Sequence, residues 1–535
     1  MSSRRTASWL LAVVALALAG CATRPINVPL QQVDRKSGYR YETRAERPGN
    51  DPSTVVVLAF SGGGMRAAAF SYGVLEELRR TEVSIGGKRT RLIDEVDLIT
   101  GVSGGSFTAL AYGLHGERLF DGYEQRFLKR DVQSELVSRL LSPGNWPALS
   151  SDGWGRSELA AGLWDEILFH GKTYADLMAA PGPMVRTTAT DLSTGSRLTF
   201  SQNEFDLICS DLASFPLSRA AAASSAVPLV TSPVTINNYG GTCGYEMPYW
   251  ARQFEDPQNR LRPAGRAVQR IKEMKAFQDG GNRPYLHLVD GGLADNLGVR
   301  GILESLEELE ASRVLRQSVR VSRIERMVVI VVNSLSVPKI DWDRSAKPPN
   351  DLQILLKATG TPIDRYSYEG VELLRDIVAR WSAMRALNEA GGFANANNPA
   401  LAPYPELTID SSRDVSRDDL EIQQTHSWST TLKTMLGAGI RHDQAESNRL
   451  LYGLGKVEGD QWQLFGTLDW QAAPKWSLHA GGMIEKHYNT DTLVSPRLAA
   501  NYRIDPHQAL RFVVGKGYRA PTIFETDARE AVASP

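Results

Sequence analysis

The chain has 535 residues, 42% of them hydrophobic and 23% charged, with a formal net charge of −1. That balance describes a globular protein and carries no electrostatic footprint for nucleic acid. The length exceeds one typical unit of roughly 150 residues, so more than one domain is expected.

At the amino end, Arg4 and Arg5 precede the apolar run Trp9–Gly20. The run is shorter than the roughly 20 residues a membrane-spanning helix needs, which makes it a signal segment. Leu18-Ala19-Gly20-Cys21 resembles a bacterial lipobox. The resemblance implies a signal peptide over 1–20, cleavage before Cys21 and lipidation of Cys21; an ordinary secretory signal with an incidental cysteine is the alternative. Ala22 after the cysteine resembles lipoproteins sent to the outer membrane, which implies a lipid-anchored protein of the bacterial cell envelope. Cys209 and Cys243 are then the remaining cysteines. In an oxidising periplasm they form a possible disulfide, and two separately buried thiols are the alternative. Residues 21–52 are polar and without apolar period, and read as a tether spanning on the order of 30 Å.

Thr54–Phe60 (TVVVLAF) is a β-branched run suited to a buried strand. Ser61–Gly64 follows as a loop, and Met65–Arg80 reads as a helix. The glycines allow close backbone approach and the helix start offers unpaired N–H groups, donors of the kind an oxyanion needs. Arg66 is placed either to steer an anion or to brace the loop. Gly62-x-Gly64-x-x-Ala67 also fits a dinucleotide fingerprint, a reading that leaves the next motifs unexplained. Val96–Thr100 then forms a second strand, Gly101-Val102-Ser103-Gly104-Gly105 a G-x-S-x-G turn, and Phe107–Leu114 a helix. Two strand–loop–helix units imply a parallel sheet with ligands at the carboxyl ends of its strands. Asp290-Gly291-Gly292 ends a further apolar run.

Ser103 needs a base. His426, His442, His479, His487 and His507 all lie in a carboxyl-terminal segment of different texture, and His115, His170 and His287 read as structural. His287 stands three residues before Asp290, so the two side chains point to opposite faces of one strand. Asp290 is left as the base, its basicity raised by burial.

Ser61-Gly-Gly-Gly-Met-Arg66, Gly101–Gly105, Asp290–Gly292, Ala189–Gly195 and Ala223–Pro228 together resemble the signatures of patatin-like phospholipases, in the right order. The resemblance covers 53–335. It implies an α/β fold, a parallel-sheet sandwich with helices on both faces, and a Ser–Asp dyad of Ser103 and Asp290. It also implies an oxyanion hole at Gly62, Gly63 and Gly64 with Arg66 beside it, and phospholipid or lysophospholipid as substrate, with no metal or cofactor. Ser61 departs from the aspartate of plant patatins, and Ala67 from a common glycine.

Residues 235–282 form a long insertion with Tyr239, Tyr245, Tyr249, Trp250 and Phe254, open to reading as a lid or as a packed excursion. Asp191 and Asn296 read as loop and cap residues. Met327–Val332 is a buried strand, Ile302, Leu303, Leu306 and Leu309 a helix stripe, and 336–410 a helical extension. From 411 to 535 the pattern has period two: Thr431–Arg441, Arg449–Val457, Trp462–Trp470, Trp476–Glu485, Pro496–Ile504 and Leu510–Tyr518. The segments around Leu420–Asp443 and Ser495–Glu525 resemble part of the barrel of TonB-dependent outer-membrane receptors. The piece is shorter than the eight strands of the smallest transmembrane barrels, which points to a fusion or truncation product. A receptor-related binding component with an inactive hydrolase domain is the alternative function; protein partners are not legible.

Overall fold

Thr54–Phe60 forms β1 with every residue buried. The computed structural model describes residues 24–518 apart from 45–46, 48, 86, 152–153, 229, 256–264, 312–323, 335–348, 350, 390–405, 411–413, 447–455, 489 and 506–507. The expected signal peptide and Cys21 lie outside the described residues. Among the described residues no helix is long and apolar enough to cross a membrane. The chain divides into two units, Met1–Ser411 and Ser412–Pro535.

The first unit is built on one sheet. Helix α1 (Gly64–Arg80) leads from β1 to a hairpin of β2 (Glu82–Ile85) and β3 (Lys88–Arg91), and β4 (Val96–Val102) returns parallel to β1. Helix α2 (Gly104–His115) follows β4 and is buried from Gly104 to Leu114, a helix apolar all round because it is packed all round. It begins at Gly104, earlier than the Phe107 expected, because the turn glycines themselves form its first turn. Next come β5 (Met184–Asp191), parallel to β4, and β6 (Arg197–Thr199), folded back on β5. Helix α3 (Leu217–Ser224) precedes β7 (Val234–Asn237), helix α4 (Gly265–Gln278) precedes β8 (Tyr285–Asp290), and helix α5 (Arg300–Ala311) precedes β9 (Arg326–Val332). Helix α6 (Asp351–Glu389) leads to β10 (Glu406–Asp410). The strand order is β10-β9-β1-β4-β5-β8-β7.

The expected α/β class holds. Strands β10, β9, β1, β4 and β5 run parallel, while β8 is antiparallel to β5 and β7 to β8. Strands β1 and β4 are parallel neighbours, so the loops that follow them, Ser61–Gly63 and Ser103, meet at one end of the sheet. The antiparallel entry of β8 sets its last residue, Asp290, opposite Ala189 of β5. The stripe Ile302, Leu303 and Leu306 of α5 is buried, as are Leu374, Ile377 and Trp381 of α6.

Residues 21–52 are not a free tether over their described part. The Leu30 amide donates to the Cys209 carbonyl (2.8 Å), the Asp211 amide to Val28 (2.8 Å) and the Val33 amide to Cys243 (3.2 Å). Tyr39 is buried, its hydroxyl accepting the Val185 amide at 2.7 Å, and Arg40 pairs with buried Asp206 at 2.7 Å. Polar composition suggested solvation, but these polar groups are satisfied by loop backbone instead, and an irregular strap leaves no period in the sequence.

The structure joins Cys209 to Cys243 with Cα atoms 5.5 Å apart. The two half-cystines carry the strap's backbone bonds and also pin the insertion: the Tyr239 hydroxyl donates to the Asn27 carbonyl (2.9 Å), and Ile271, Met274 and Phe277 of α4 are buried. The described part of the insertion is therefore a packed excursion. Cys209→Ser opens a loop of 34 residues and is expected to cost roughly 2–4 kcal/mol. The denaturant midpoint for loss of first-unit structure, compared with and without the substitution, checks this.

The second unit is one antiparallel sheet in the order β11 (Asp414–Ser427), β12 (Leu432–Glu446), β13 (Lys456–Ala473), β14 (Trp476–His487), β15 (Leu493–Arg503) and β16 (Ala509–Gly515). Asp414–Ser427 was not expected as a strand, its apolar residues being few, and most of Arg449–Val457 lies outside the described residues. Strands β11 and β16 do not pair with each other, so the sheet is open among the described residues. One face is apolar and exposed, through register partners such as Ile440 with Trp462, Leu464 with Ile484, and Leu498 with Val514. The other holds polar contacts, Arg441 to Asp419 at 3.7 Å and Gln461 to the buried Glu485 at 3.1 Å. Trp476 packs on Tyr502 at 4.8 Å near one end of the strands. This alternation is the one barrel strands use.

Candidate active site

Two glycine loops interlock at the carboxyl ends of β1 and β4. Ser103 has φ 48° and ψ −119°, an elbow that turns the chain from β4 directly into α2. A non-glycine residue there stores on the order of 1–3 kcal/mol of strain, which surrounding contacts must hold in place. They do: the Ser103 amide donates to Ser224 Oγ at 2.9 Å, and the Ser103 carbonyl accepts both the amide (3.0 Å) and the hydroxyl (2.6 Å) of Ser106. A Cβ at Gly104 would run into the Gly64 carbonyl, so the two loops cross in contact only because side chains are missing.

Asp290 reaches Ser103 from the end of β8. The Ser103 hydroxyl donates to Asp290 Oδ2 at 2.7 Å, and the Gly292 amide donates to Oδ1 at 2.8 Å. Backbone bonds fix the carboxylate: the Asp290 amide to Ala226 (2.9 Å), the Gly291 amide to Ser224 (3.0 Å) and Thr190 Oγ1 to the Asp290 carbonyl (2.9 Å). Both residues of the pair are buried. Burial pushes the Asp290 carboxyl up to about 6, while the Gly292 amide and the Ser103 hydroxyl pull it part of the way back.

Of the expected oxyanion residues, Gly62 is corrected. Its amide donates to the Asn296 carbonyl at 2.8 Å and is not available to a ligand. The amides of Gly63, Gly64 and Gly104 have no hydrogen-bond partner among the described residues, and the last two open α1 and α2. Gly63 (φ 139°) and Gly64 (φ 64°) hold backbone conformations that side chains resist. Arg66 braces the loop: its Nε donates to the Ser334 carbonyl at 2.9 Å. Ser334 also donates its hydroxyl to the Gly62 carbonyl (2.7 Å) and its amide to Ser61 Oγ (2.8 Å). Ser61, where plant patatins carry an aspartate, thus faces the end of β9 and not Ser103.

The sequence reading assigned no supporting role at the site to four contributors, although it had singled out Asn296 as a cap residue. Ser224, Asn296 and Ser334 support the loops across separations that only the sheet register closes, and the Gly104 amide is a donor that the nucleophile-elbow pattern itself could have flagged. Asp191 is buried under Arg283 and Thr194, a loop-fastening residue as expected. Among the described residues of the first unit, no histidine serves the pair. His115 closes α2 about 17 Å from its start, bonded to the Leu168 carbonyl (3.0 Å) with burial lowering its pKa. His170 caps a helix in the left-handed region, and His287 meets Thr235 Oγ1 at 3.0 Å.

A buried hydroxyl bonded to a carboxylate of raised basicity, with three free amides nearby, can carry out acyl transfer to serine. Among known proteins, the model of the patatin-like phospholipase family matches residues 58–303, and that of the TonB dependent receptor-like β-barrel matches 339–533. No curated protein matches the chain. The solved structure of full-length ExoU from Pseudomonas aeruginosa with SpcU aligns at 13% identity over 56% of this chain and 70% of that one, with a TM-score of 0.19. A second solved structure, of the type III effector protein ExoU, aligns at 14% identity over 70% of this chain and 74% of that one, with a TM-score of 0.20. At those scores the likeness carries no argument. The chain carries a patatin-like phospholipase domain, followed by a segment of the TonB-dependent receptor-like β-barrel family.

Proposed function

We propose that this protein is a serine acyl hydrolase cleaving acyl esters of phospholipid or lysophospholipid, held in the bacterial outer membrane by a lipid on Cys21. The observation that carries the reading is the 2.7 Å bond from the Ser103 hydroxyl to Asp290, at a strained elbow where two glycine loops with unpartnered amides cross. Ser103 Oγ attacks the ester carbonyl carbon while Asp290 takes its proton. The amides of Gly63, Gly64 and Gly104 supply the donors for the developing oxyanion. Collapse expels the alcohol, which leaves with the proton returned by Asp290. Water, deprotonated by the same carboxylate, then cleaves the acyl-serine and frees the fatty acid.

Covalent capture tests this cheaply. A fluorophosphonate probe is expected to label the full chain at Ser103 and to leave Ser103→Ala unlabelled. Equal labelling of both, or none of the parent chain, sinks the reading and favours a receptor-related binding component with an inactive hydrolase domain.

A further inference from the structure

Heights along the strand axis follow from the register. Val102 pairs with Thr188, so Ser103 comes level with Ala189, the partner of Asp290. Strand β8 extends past that level: Leu288 pairs with Asp191, and Tyr285 with Asn237 of β7. The tip formed by Tyr285 and Asn237 therefore stands about 17 Å beyond the Ser103–Asp290 pair, on the side toward which the parallel strands point.

The strap is fastened at this tip. The Arg24 guanidinium bonds to the Asn237 side chain and to the Thr235 carbonyl (3.3 Å), and lies 5.3 Å over the Tyr285 ring. Asn27 accepts the Asn237 amide (2.7 Å) and donates to its carbonyl (3.0 Å). Exposed apolar side chains stand on the strap, at the tip and near the Ser103–Asp290 pair. Ile26 (65% exposed) and Val28 stand on the strap, Tyr285 on the tip, and Leu192 just past β5. Val227 and Val230 (65% exposed) follow Ala226, whose carbonyl holds the Asp290 amide. Single exposed apolar residues are ordinary. Here they occur at two linked places, the strap with its tip and the segment next to the residue that holds Asp290.

We infer that this face docks on a phospholipid bilayer, the strap holding the mouth of the Ser103–Asp290 site against the membrane surface. The inference rests on the proposed hydrolase reading and on a lipid at Cys21. Cys21 stands three residues before Arg24, so at most about 10 Å of backbone can separate a lipid-bearing Cys21 from the residue fastened at the tip. A free tether would have allowed about three times that distance and every orientation. The short leash and the apolar rim select the same occupant, a lipid surface beside a lipid-cleaving site. Arg24 adds a cation for anionic headgroups.

The test is a depth measurement on the full chain bound to vesicles of phosphatidylethanolamine and phosphatidylglycerol. A polarity-sensitive dye is placed on Ile26→Cys, on Val230→Cys and, as control, on Arg89→Cys in the exposed β2–β3 hairpin at the opposite end of the sheet. The first two are expected to shift to the blue and to be quenched at least twofold by brominated lipid, the third to stay unchanged. Equal quenching at all three positions, none at 26 and 230, or failure to bind vesicles overturns the inference. A blue shift that grows with protein concentration and needs no vesicles assigns the face to a second copy and overturns it too. Hydrolysis of monomeric nitrophenyl butyrate by the same labelled proteins reads the enzyme proposal separately. If no ester is cleaved, that proposal fails while quenching still decides the docking.

Discussion

Ser103→Ala and Asp290→Asn are each expected to lower kcat on a nitrophenyl ester by about three orders of magnitude or more, and the double variant is expected to do no worse than either single one. The residues act as one unit: the hydroxyl attacks only while the carboxylate takes its proton, so losing one partner already removes the step. A residual rate above water remains, because free amides and substrate binding survive both substitutions. Steady-state kinetics on the parent and three variants checks this. A variant keeping a tenth of the parental kcat would remove its residue from the chemistry, and additive losses would show two independent functions.

The pH dependence follows from the same carboxylate. Asp290 must be ionised to act as base, so kcat/KM is expected to rise with pH through about 6 and level off above it. Stability moves the other way. The folded pKa lies above the unfolded value of about 3.9, so between roughly pH 4 and 6 the folded chain keeps a proton that the unfolded chain has lost. Unfolding free energy therefore declines as pH rises through that window, by about 2–3 kcal/mol, and is flat beyond it. Asp290→Asn carries no such charge. It is expected to raise the melting temperature of the first unit at pH 8 and to leave it nearly unchanged at pH 4. The same shift at both pH values would show that the effect comes from packing and not from the buried charge.

The residues of the pair were legible because their signals are local. A glycine-flanked serine after an apolar run, and an aspartate before two glycines, describe backbone that only such residues permit. Exclusion of the histidines by chain order was equally local. The support of the pair was not legible. Ser224 to Ser103 and Ser334 to Ser61 join positions 121 and 273 apart, and a hydroxyl's partner at that range depends on how the eight strands of the sheet pair. Gly62 shows the limit from the other side. The motif marks a glycine, yet whether its amide faces a ligand or Asn296 depends on the loop after β8. The strap failed for a further reason: its bonds are backbone to backbone, to which side-chain composition is blind.

Strand β10 has a further consequence. Its five residues pair with Arg326–Ile330 of β9 and close one edge of the hydrolase sheet. Yet those residues fall inside the receptor-like match that begins at 339. The seam between the two families and the seam between the two structural units are thus different places, near 303–339 and at Ser411. Cutting the chain at the family seam would strip β9 of its neighbour and leave a hydrophobic edge, Met327 to Ile330, as a template for aggregation. Sequence similarity divides this chain in one place and its folded units in another, so the edge of the first sheet is covered by residues that match a different family.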